Sequence, residues 1–344
     1  MQTIKRVLTT LLFVSLFLIV PQTVFAETSP TTGAGFTITP EFPKNQLPDE
    51  TSFFDLKVTP DQTQELTVVV ANKTNQARSL TVQPTNATTG DNGVVVYTPN
   101  KKRDSSAKYT FTQLTSKAVT VKLAANEAKP ITFTTQIPKK GFQGQILGGI
   151  FVSDPATHKA TGQTKGFKIN NRYSMVLGVR LQENPNKKVT PDLALNQVRA
   201  GEVAGDGAVL ANLQNKAPVL FGKMSITGRV YPRNSSNQLY KTTKHDYAMA
   251  PNSNFNYAIS TGHHRLKAGK YTLKLTATSA KRSWKFTKNF TISQKEADKY
   301  NKQLTNVKHN WTWLYVLLAI LGALLLAGIS FWLGRRNKND HSAN

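Results

Sequence analysis

Carboxylate and imidazole side chains, which carry most hydrolytic and metal chemistry, are few in this chain. The 344 residues include 19 aspartates and glutamates and 6 histidines. The best carboxylate candidates are the pair Asp49–Glu50 and Asp104, which follows the basic run 101–103. A glycosidase needs two carboxylates about 5–10 Å apart, and no sequence offset establishes that distance. A glycoside hydrolase therefore remains an alternative without a residue pair to support it.

Other catalytic and metal-binding patterns are also missing from the sequence. His263 and His264 form the only histidine pair, and neighbouring residues on a strand point to opposite faces, with no third ligand indicated nearby. There is no cysteine, which excludes thiolate zinc sites, cysteine nucleophiles and disulfides. The chain contains no Gly-x-Ser-x-Gly elbow, Walker loop or His-Glu-x-x-His. We therefore predict a non-catalytic protein without a cofactor or a metal.

Two apolar segments define how the rest of the chain is displayed. The first, 7–20, follows Lys5 and Arg6 and precedes a small-residue processing site at 24–26, the pattern of a secretory signal peptide. The second, 311–333, contains no charged residue and is long enough to cross about 30 Å of hydrocarbon. A basic tail follows it, which favours the cytoplasmic side. We predict a single-pass type I protein of the cell membrane that faces outward between the two segments.

The outward part is strongly basic. The chain has 44 lysines and arginines and a formal net charge of +25, of which the signal peptide and the tail contribute only +2 each. Outside a membrane such a surface meets anionic wall polymers, glycan carboxylates and lipid headgroups, and nucleic acid is excluded by location. The alternative is that the lysines only keep the surface soluble.

The outward part consists of short segments in which apolar residues alternate with polar ones, the period of half-buried strands. The clearest example places Tyr271, Leu273 and Leu275 on one face, and the following run 284–292 returns after a turn at 281–283. Trp284 on the returning strand is either a core residue or an exposed platform for a ligand. Regular strands with polar turns predict β-sandwiches.

The boundaries follow from the change in composition between these segments. We expect two globular domains, because about 280 outward residues are enough for two separate cores. The predicted order is signal peptide 1–26, linker 27–35, first domain 36–155, linker 156–170, second domain 171–293, juxtamembrane stalk 294–310, transmembrane helix 311–333 and cytoplasmic tail 334–344.

Several phrases of the sequence resemble a known family. "FTITPEFPKNQ", "FFDLKVTPDQTQELTVVVANKT" and "GQILGGIFVS" are similar to the peptidoglycan-binding domain of the WxL-interacting cell-surface proteins of Gram-positive bacteria. "NRYSMVLGVRLQEN", "KKVTPDLALNQVRAG", "MAPNSNFNYAIS" and "LKAGKYTLKLTATS" resemble the companion domain, which is assigned to binding a host or a partner. The order of two domains, a spanning helix and a short basic tail is also similar.

The resemblance implies an all-β fold of two immunoglobulin-like β-sandwiches followed by one C-terminal transmembrane helix. It also implies an adhesion scaffold whose first domain binds peptidoglycan or anionic wall polymers. The second domain would bind WxL-domain surface proteins or a host extracellular-matrix protein. Two alternatives remain: an assembly factor for secreted surface proteins that works by strand addition at a sheet edge, and the wall-polymer hydrolase considered above.

Within this framework two basic clusters are candidate contact sites. In the first domain, Lys101, Lys102, Arg103 and Tyr109 combine positive charge with an aromatic ring, which suits an anionic glycan. A solvated loop is the alternative for this cluster. In the second domain, Lys281 and Arg282 at the predicted hairpin tip are the candidates for partner contact.

Overall fold

The computed structural model describes residues 33–99, 103–155, 172–306 and 312–339, with side chains up to residue 332. The predicted signal peptide 1–26, the linker 156–170, the tail beyond 339 and the candidates Lys101 and Lys102 lie outside these residues. The remainder is mostly strand and forms β-sandwiches followed by one apolar helix, which confirms the predicted fold class.

The first sandwich is built from strands that alternate between buried and exposed side chains. Its elements are β1 (Phe36–Glu41), β2 (Phe54–Lys57), β3 (Thr63–Asn72), β4 (Arg78–Asn86), β5 (Thr88–Thr89), β6 (Val95–Val96), α1 (Phe111–Leu114), β7 (Val119–Leu123), β8 (Ala128–Gln136), β9 (Gln145–Ser153) and β10 (Ser174–Gln182). One sheet has the order β1-β3-β8 and the other β2-β10-β9-β4-β7, while β5 and β6 form a separate ribbon. Leu66, Val68 and Val70 show the alternation on β3, since all three are fully buried between the sheets.

Strand β10 crosses the boundary that we expected between the domains. It lies within 171–293, yet it pairs antiparallel with β9 and parallel with β2 in the first sandwich. Leu177, Val179 and Leu181 on this strand are buried in the first core. The chain therefore completes its first sandwich only after the segment 156–170.

Two ion pairs with buried carboxylates connect segments of this sandwich. The Arg180 guanidinium on β10 binds the Asp55 carboxylate on β2, and Gln182 Nε2 donates to Asp55 Oδ1 at 2.8 Å. Arg78 Nη2 lies 2.6 Å from Asp154 Oδ2, with both side chains nearly inaccessible. Because removing one partner of a buried pair leaves an uncompensated charge, each pair strongly favours this arrangement of strands.

The second sandwich repeats the same design. Its strands are β11 (Leu193–Val203), β12 (Asp206–Asn215), β13 (Phe221–Pro232), β14 (Tyr240–Met249), β15 (Ser253–Ser260), β16 (Gly269–Ser279) and β17 (Arg282–Ile292). They form sheets of order β11-β12-β15 and β14-β13-β16-β17. The predicted hairpin is β16–β17, but its turn is at Ala280 and Lys281 and not at 281–283, because Arg282 and Ser283 already pair with β16. Trp284 is partly buried against the core and lies 5.8 Å from the Phe221 ring, so it is a packing residue.

The chain leaves the second sandwich through a helix packed on that domain. Helix α2 (Gln294–Asn301) begins at a capping box between Ser293 and Glu296, and Ala297 is buried. Asn301 donates to Leu266 O and accepts from Leu266 N, at 2.9 and 2.8 Å. Helix α3 (Thr312–Asn339) follows, and its segment Thr312–Trp332 is long and apolar enough to cross a membrane.

Candidate functional site

The two sandwiches meet through a polar junction whose centre is buried. Thr89 Oγ1 on the β5–β6 ribbon lies 2.6 Å from Ser253 Oγ, and the Ala250 amide donates to Thr89 Oγ1 at 3.0 Å. Thr89 and Ser253 are both buried. Buried hydroxyls require such partners because an unpaired polar group costs free energy. The ribbon is therefore one part of the first sandwich that anchors the second.

Two glycines allow the backbones to approach at this junction. Gly93 has a φ of +77°, its carbonyl accepts from the Ala248 amide at 2.7 Å, and a Cβ built there would lie 2.2 Å from the Tyr247 ring. Gly144 has a φ of +76°, and its Cβ would lie 2.1 Å from Pro218 O. Only glycine combines a left-handed backbone with contacts this close. The turns that carry these residues are therefore shaped for domain contact.

Asp104 joins the two sandwiches at the edge of the junction. Its Oδ1 accepts from Gln214 Nε2 and its Oδ2 from Asn254 Nδ2, both at 2.6 Å, while Ser106 donates from its amide and its hydroxyl. Burial alone would raise the pKa of Asp104, but the hydrogen bonds from Ser106, Asn254 and Gln214 outweigh it and lower that pKa. The ionised carboxylate is thus the form that the junction stabilises.

Beside Asp104 lies a cleft of about 410 Å³ that both sandwiches line; we name it the junction cleft. The first sandwich contributes residues of β4 and β5, the loop 103–111 and the start of β9, and the second contributes 251–254. Its polar side chains include Asn86, Thr88, Arg103, Asn252 and Asn254. A pocket of this size with a few convergent polar groups is the usual form of a small-ligand site.

The sequence candidates divide between this cleft and other places. Arg103 and Tyr109 both line it. The Arg103 guanidinium donates to the Ala107 carbonyl, with Nε at 2.8 Å, so it also holds its own loop. Tyr109 packs partly on the first core, with Lys108 Nζ 5.2 Å from its ring centroid.

The second-domain candidates lie away from the junction cleft. Lys281 is exposed in the β16–β17 turn, and the exposed Arg282 lines a separate cavity.

Sequence reasoning missed the amide residues that the second sandwich brings to this region. Asn212 Nδ2 donates to Asn254 Oδ1 and Asn256 Oδ1 at 3.1 and 3.2 Å, and Asn196 Nδ2 reaches Gln214 Oε1 at 3.1 Å. These side chains form a ladder across β11, β12 and β15 that ends at Asp104. The sequence contains one signal for these residues, which is that asparagine recurs at every second position in Asn252, Asn254 and Asn256.

This arrangement provides hydrogen bonding rather than an evident reaction centre. Hydroxyl and amide groups of the cleft can both donate and accept, which matches the hydroxyl and acetamido groups of a glycan. Among the residues that the structure describes, no group of three or more His, Cys, Asp or Glu side chains is placed to hold a metal ion. His263 pairs with Asp206, with 2.6 Å between Nδ1 and Oδ1.

Several solved structures that are similar to the chain are chaperones or complexes that contain one. They include a chain of the CFA/I chaperone–tip adhesin complex (11% identity, 75% of this chain and 99% of that chain, TM-score 0.27). The YadV chaperone (14%, 75% and 99%, TM-score 0.24) and the CupB2 chaperone of Pseudomonas aeruginosa (7%, 66% and 91%, TM-score 0.24) are others. Likenesses this distant carry no argument about function.

Family models identify the chain more closely. No protein with a curated description matches it. Residues 36–154 match the WxL Interacting Protein peptidoglycan binding domain, and residues 164–302 match the WxL Interacting Protein host binding domain. The two matches follow the order that the sequence predicted. The chain therefore belongs to the WxL-interacting protein family.

Proposed function

We propose that this protein is a membrane-anchored adhesion scaffold that binds peptidoglycan in the junction cleft. The two domain families support a role in binding at the cell surface. The single observation that favours this site is the junction cleft itself, a polar pocket with an aromatic residue at the contact between both domains. An N-acetylated glycan strand needs donors, acceptors and an apolar surface, and the cleft presents all three.

In this proposal the second domain displays the partner site. WxL-domain surface proteins, or a host extracellular-matrix protein, would bind there, and the β16–β17 tip with Lys281 and Arg282 is the contact we favour. Helix α3 would span the membrane with the basic tail in the cytoplasm and both sandwiches outside. One chain would then connect the membrane, the wall and a surface partner, so that avidity adds to each separate affinity.

The test is retention of residues 27–310 on purified sacculi across a salt series. At ~0.15 M salt, where exposed charges are screened beyond about 8 Å, the unmodified protein should remain bound. Tyr109→Ala should lower the affinity by up to about tenfold, since contact with one aromatic ring contributes roughly 0.5–1.5 kcal/mol. Tyr109→Phe should retain most of the binding.

Lys117→Gln is the matched control for charge, because Lys117 is exposed in the same domain and does not line the cleft. Arg103→Gln should weaken binding more than Lys117→Gln does. Equal losses from both variants, or unchanged binding by Tyr109→Ala with an unchanged melting temperature, would exclude the junction cleft as the glycan site. Loss of all binding at ~0.15 M salt would leave net charge as the cause.

A further inference from the structure

A second cavity, of about 350 Å³, lies where the chain passes from the first sandwich to the second. Its walls are the connecting segment 184–191, Gly144 and Gln145 of the first sandwich, and Val219 and Arg282 of the second. We name it the basic cleft, because its charged lining residues are Lys187, Lys188 and Arg282 and its lining includes no carboxylate.

The acidic residues that flank this segment already have partners. Glu183 Oε1 accepts from the Phe142 amide at 2.6 Å, and Asp192 Oδ2 lies 2.9 Å from Lys216 Nζ. Within the described part of the chain, none of the three cations of the basic cleft is within ion-pair distance of a carboxylate. The three cations of the cleft therefore form no ion pair with a carboxylate of the described residues.

The cations are presented by a backbone that has a defined shape. The Lys187 backbone amide donates to Asn184 O at 3.1 Å and closes a turn. Lys188 follows directly after this turn. Arg282 Nη2 lies 3.4 Å from Thr190 Oγ1, which ties the β16–β17 hairpin to the connecting segment. Lysine and arginine from different segments thus converge on one cavity.

The floor of the cavity is a fixed amide network. The Gln145 side-chain Oε1 accepts from the Leu220 backbone amide at 3.0 Å. The Gln145 backbone amide donates to Pro218 O at 2.7 Å. Gln182 Nε2 is held by Asp55 at 2.8 Å, which links the floor to the buried Asp55–Arg180 pair. A rigid floor lowers the entropy lost when a ligand binds.

We propose that the basic cleft binds a phosphodiester-bearing polyanion and that it is a second site beside the junction cleft, with Gln145 as the lining residue common to both. Three cations that line one cavity favour an anion with several acceptor oxygens, and arginine with two lysines suits phosphate in particular. The proposal assigns a ligand class to Arg282, which the proposed function placed only at a partner contact. Phosphodiesters occur both in soluble wall polymers and in lipid headgroups, and the probes distinguish these sources.

The experiment measures binding of residues 27–310 to two probes at ~0.15 M salt. One probe is soluble poly(glycerol phosphate), and the other is vesicles of phosphatidylcholine with phosphatidylglycerol. Neutral dextran and pure phosphatidylcholine vesicles give the background. The test variant is Lys187→Gln, Lys188→Gln and Arg282→Gln combined.

The matched control is Lys117→Gln, Lys241→Gln and Lys295→Gln combined, three exposed lysines that line neither cleft and remove the same charge. The test variant should lose at least about tenfold in affinity, the effect of removing charge-assisted hydrogen bonds. The control should lose less than about threefold, the effect of net charge alone under screening. Binding of the polymer alone assigns the cleft to a wall polymer, and binding of the vesicles alone assigns it to lipid.

Equal losses in the two variants, or no specific binding of either probe, would overturn the proposal. Sacculi stripped of phosphate polymers distinguish a failure of this proposal from a failure of the proposed function. They should bind the test variant as well as the unmodified protein, because the junction cleft is intact in both. A failure of stripped sacculi to bind either form would count against the junction cleft and not against the basic cleft.

Discussion

The Asp104 carboxylate accepts hydrogen bonds from both sandwiches. Its protonation state therefore affects the contact between the two sandwiches. Its pKa is lowered in the folded protein, so the folded protein binds fewer protons than the unfolded chain, and hydrogen bonds from Asn254 and Gln214 of the second sandwich contribute to that lowering. The stabilisation from this group is complete above the ordinary aspartate pKa of about 3.9 and is lost as the pH falls through the lower folded value. Acid is therefore expected to loosen the junction.

This effect can be measured with distance labels, since the chain has no cysteine of its own. Labels at Lys117→Cys and Lys285→Cys report on separate sandwiches. We expect the distance distribution to broaden as the pH falls below about 4, and Asp104→Asn to reduce that change because it removes the titrating group. An identical pH response in Asp104→Asn would show that other carboxylates control the junction.

The sequence identified part of the candidate site and missed the rest for a physical reason. Arg103 and Tyr109 reach the junction cleft because charge and aromatic character are visible in a single loop. The sequence analysis assigned no role to Asn252 and Asn254, because only tertiary structure brings them beside Asp104. The hairpin that carries Lys281 and Arg282 was predicted, although Arg282 begins β17 and does not lie in the turn. The connecting segment that lines the basic cleft together with Arg282 could not be predicted.

At the scale of elements, the unexpected strand is β10. The period-two pattern of 173–181 predicts a strand, but alternation does not identify which sheet receives it. The β16–β17 hairpin was predictable because its partners are adjacent in sequence, whereas β10 pairs with β2 from more than a hundred residues away. The family match 36–154 ends before this strand, so it does not include every strand of the first sandwich.

We expect a fragment of residues 27–155 to be unstable, and a fragment of residues 27–186 to fold. The shorter fragment lacks Leu177, Val179 and Leu181, and each buried aliphatic side chain contributes about 1.5–3 kcal/mol. Their sum is comparable to the whole stability of a domain, about 5–15 kcal/mol. Thermal unfolding monitored by circular dichroism distinguishes the two fragments.

Leu181→Asp in residues 27–310 provides the complementary variant, and it should lower the first unfolding transition while leaving the second domain folded. A cooperative transition at the same temperature in both fragments would show that β10 is dispensable.

For the whole molecule, the central question is whether the sandwiches work as one unit. Gly93→Ala places a methyl group against the Tyr247 ring, whereas at Gly262, with a φ of +66°, no atom lies within 4 Å of the position that a Cβ would take. Both substitutions carry the left-handed strain of about 1–2 kcal/mol. Only Gly93→Ala should also lengthen the distance between the two labels described above.

If the domains are coupled in binding, Gly93→Ala should weaken retention on sacculi and Gly262→Ala should not. An unchanged label distance in Gly93→Ala would show that Tyr247 moves aside and that the junction tolerates the methyl group.

The docking of α2 on the second sandwich also sets the geometry of any encounter near the membrane. Asn301 bonds to Leu266, and the amides of Thr305 and Asn306 both donate to Gly205 O, so the domain holds the chain as far as residue 306. Residues 307–311 then separate it from α3, and five residues extend at most about 18 Å. With α3 in a bilayer, this short tether would confine the second sandwich to a thin layer above the lipid. Proteins anchored in the same layer would meet it at a high effective concentration, so even a weak contact would be well occupied.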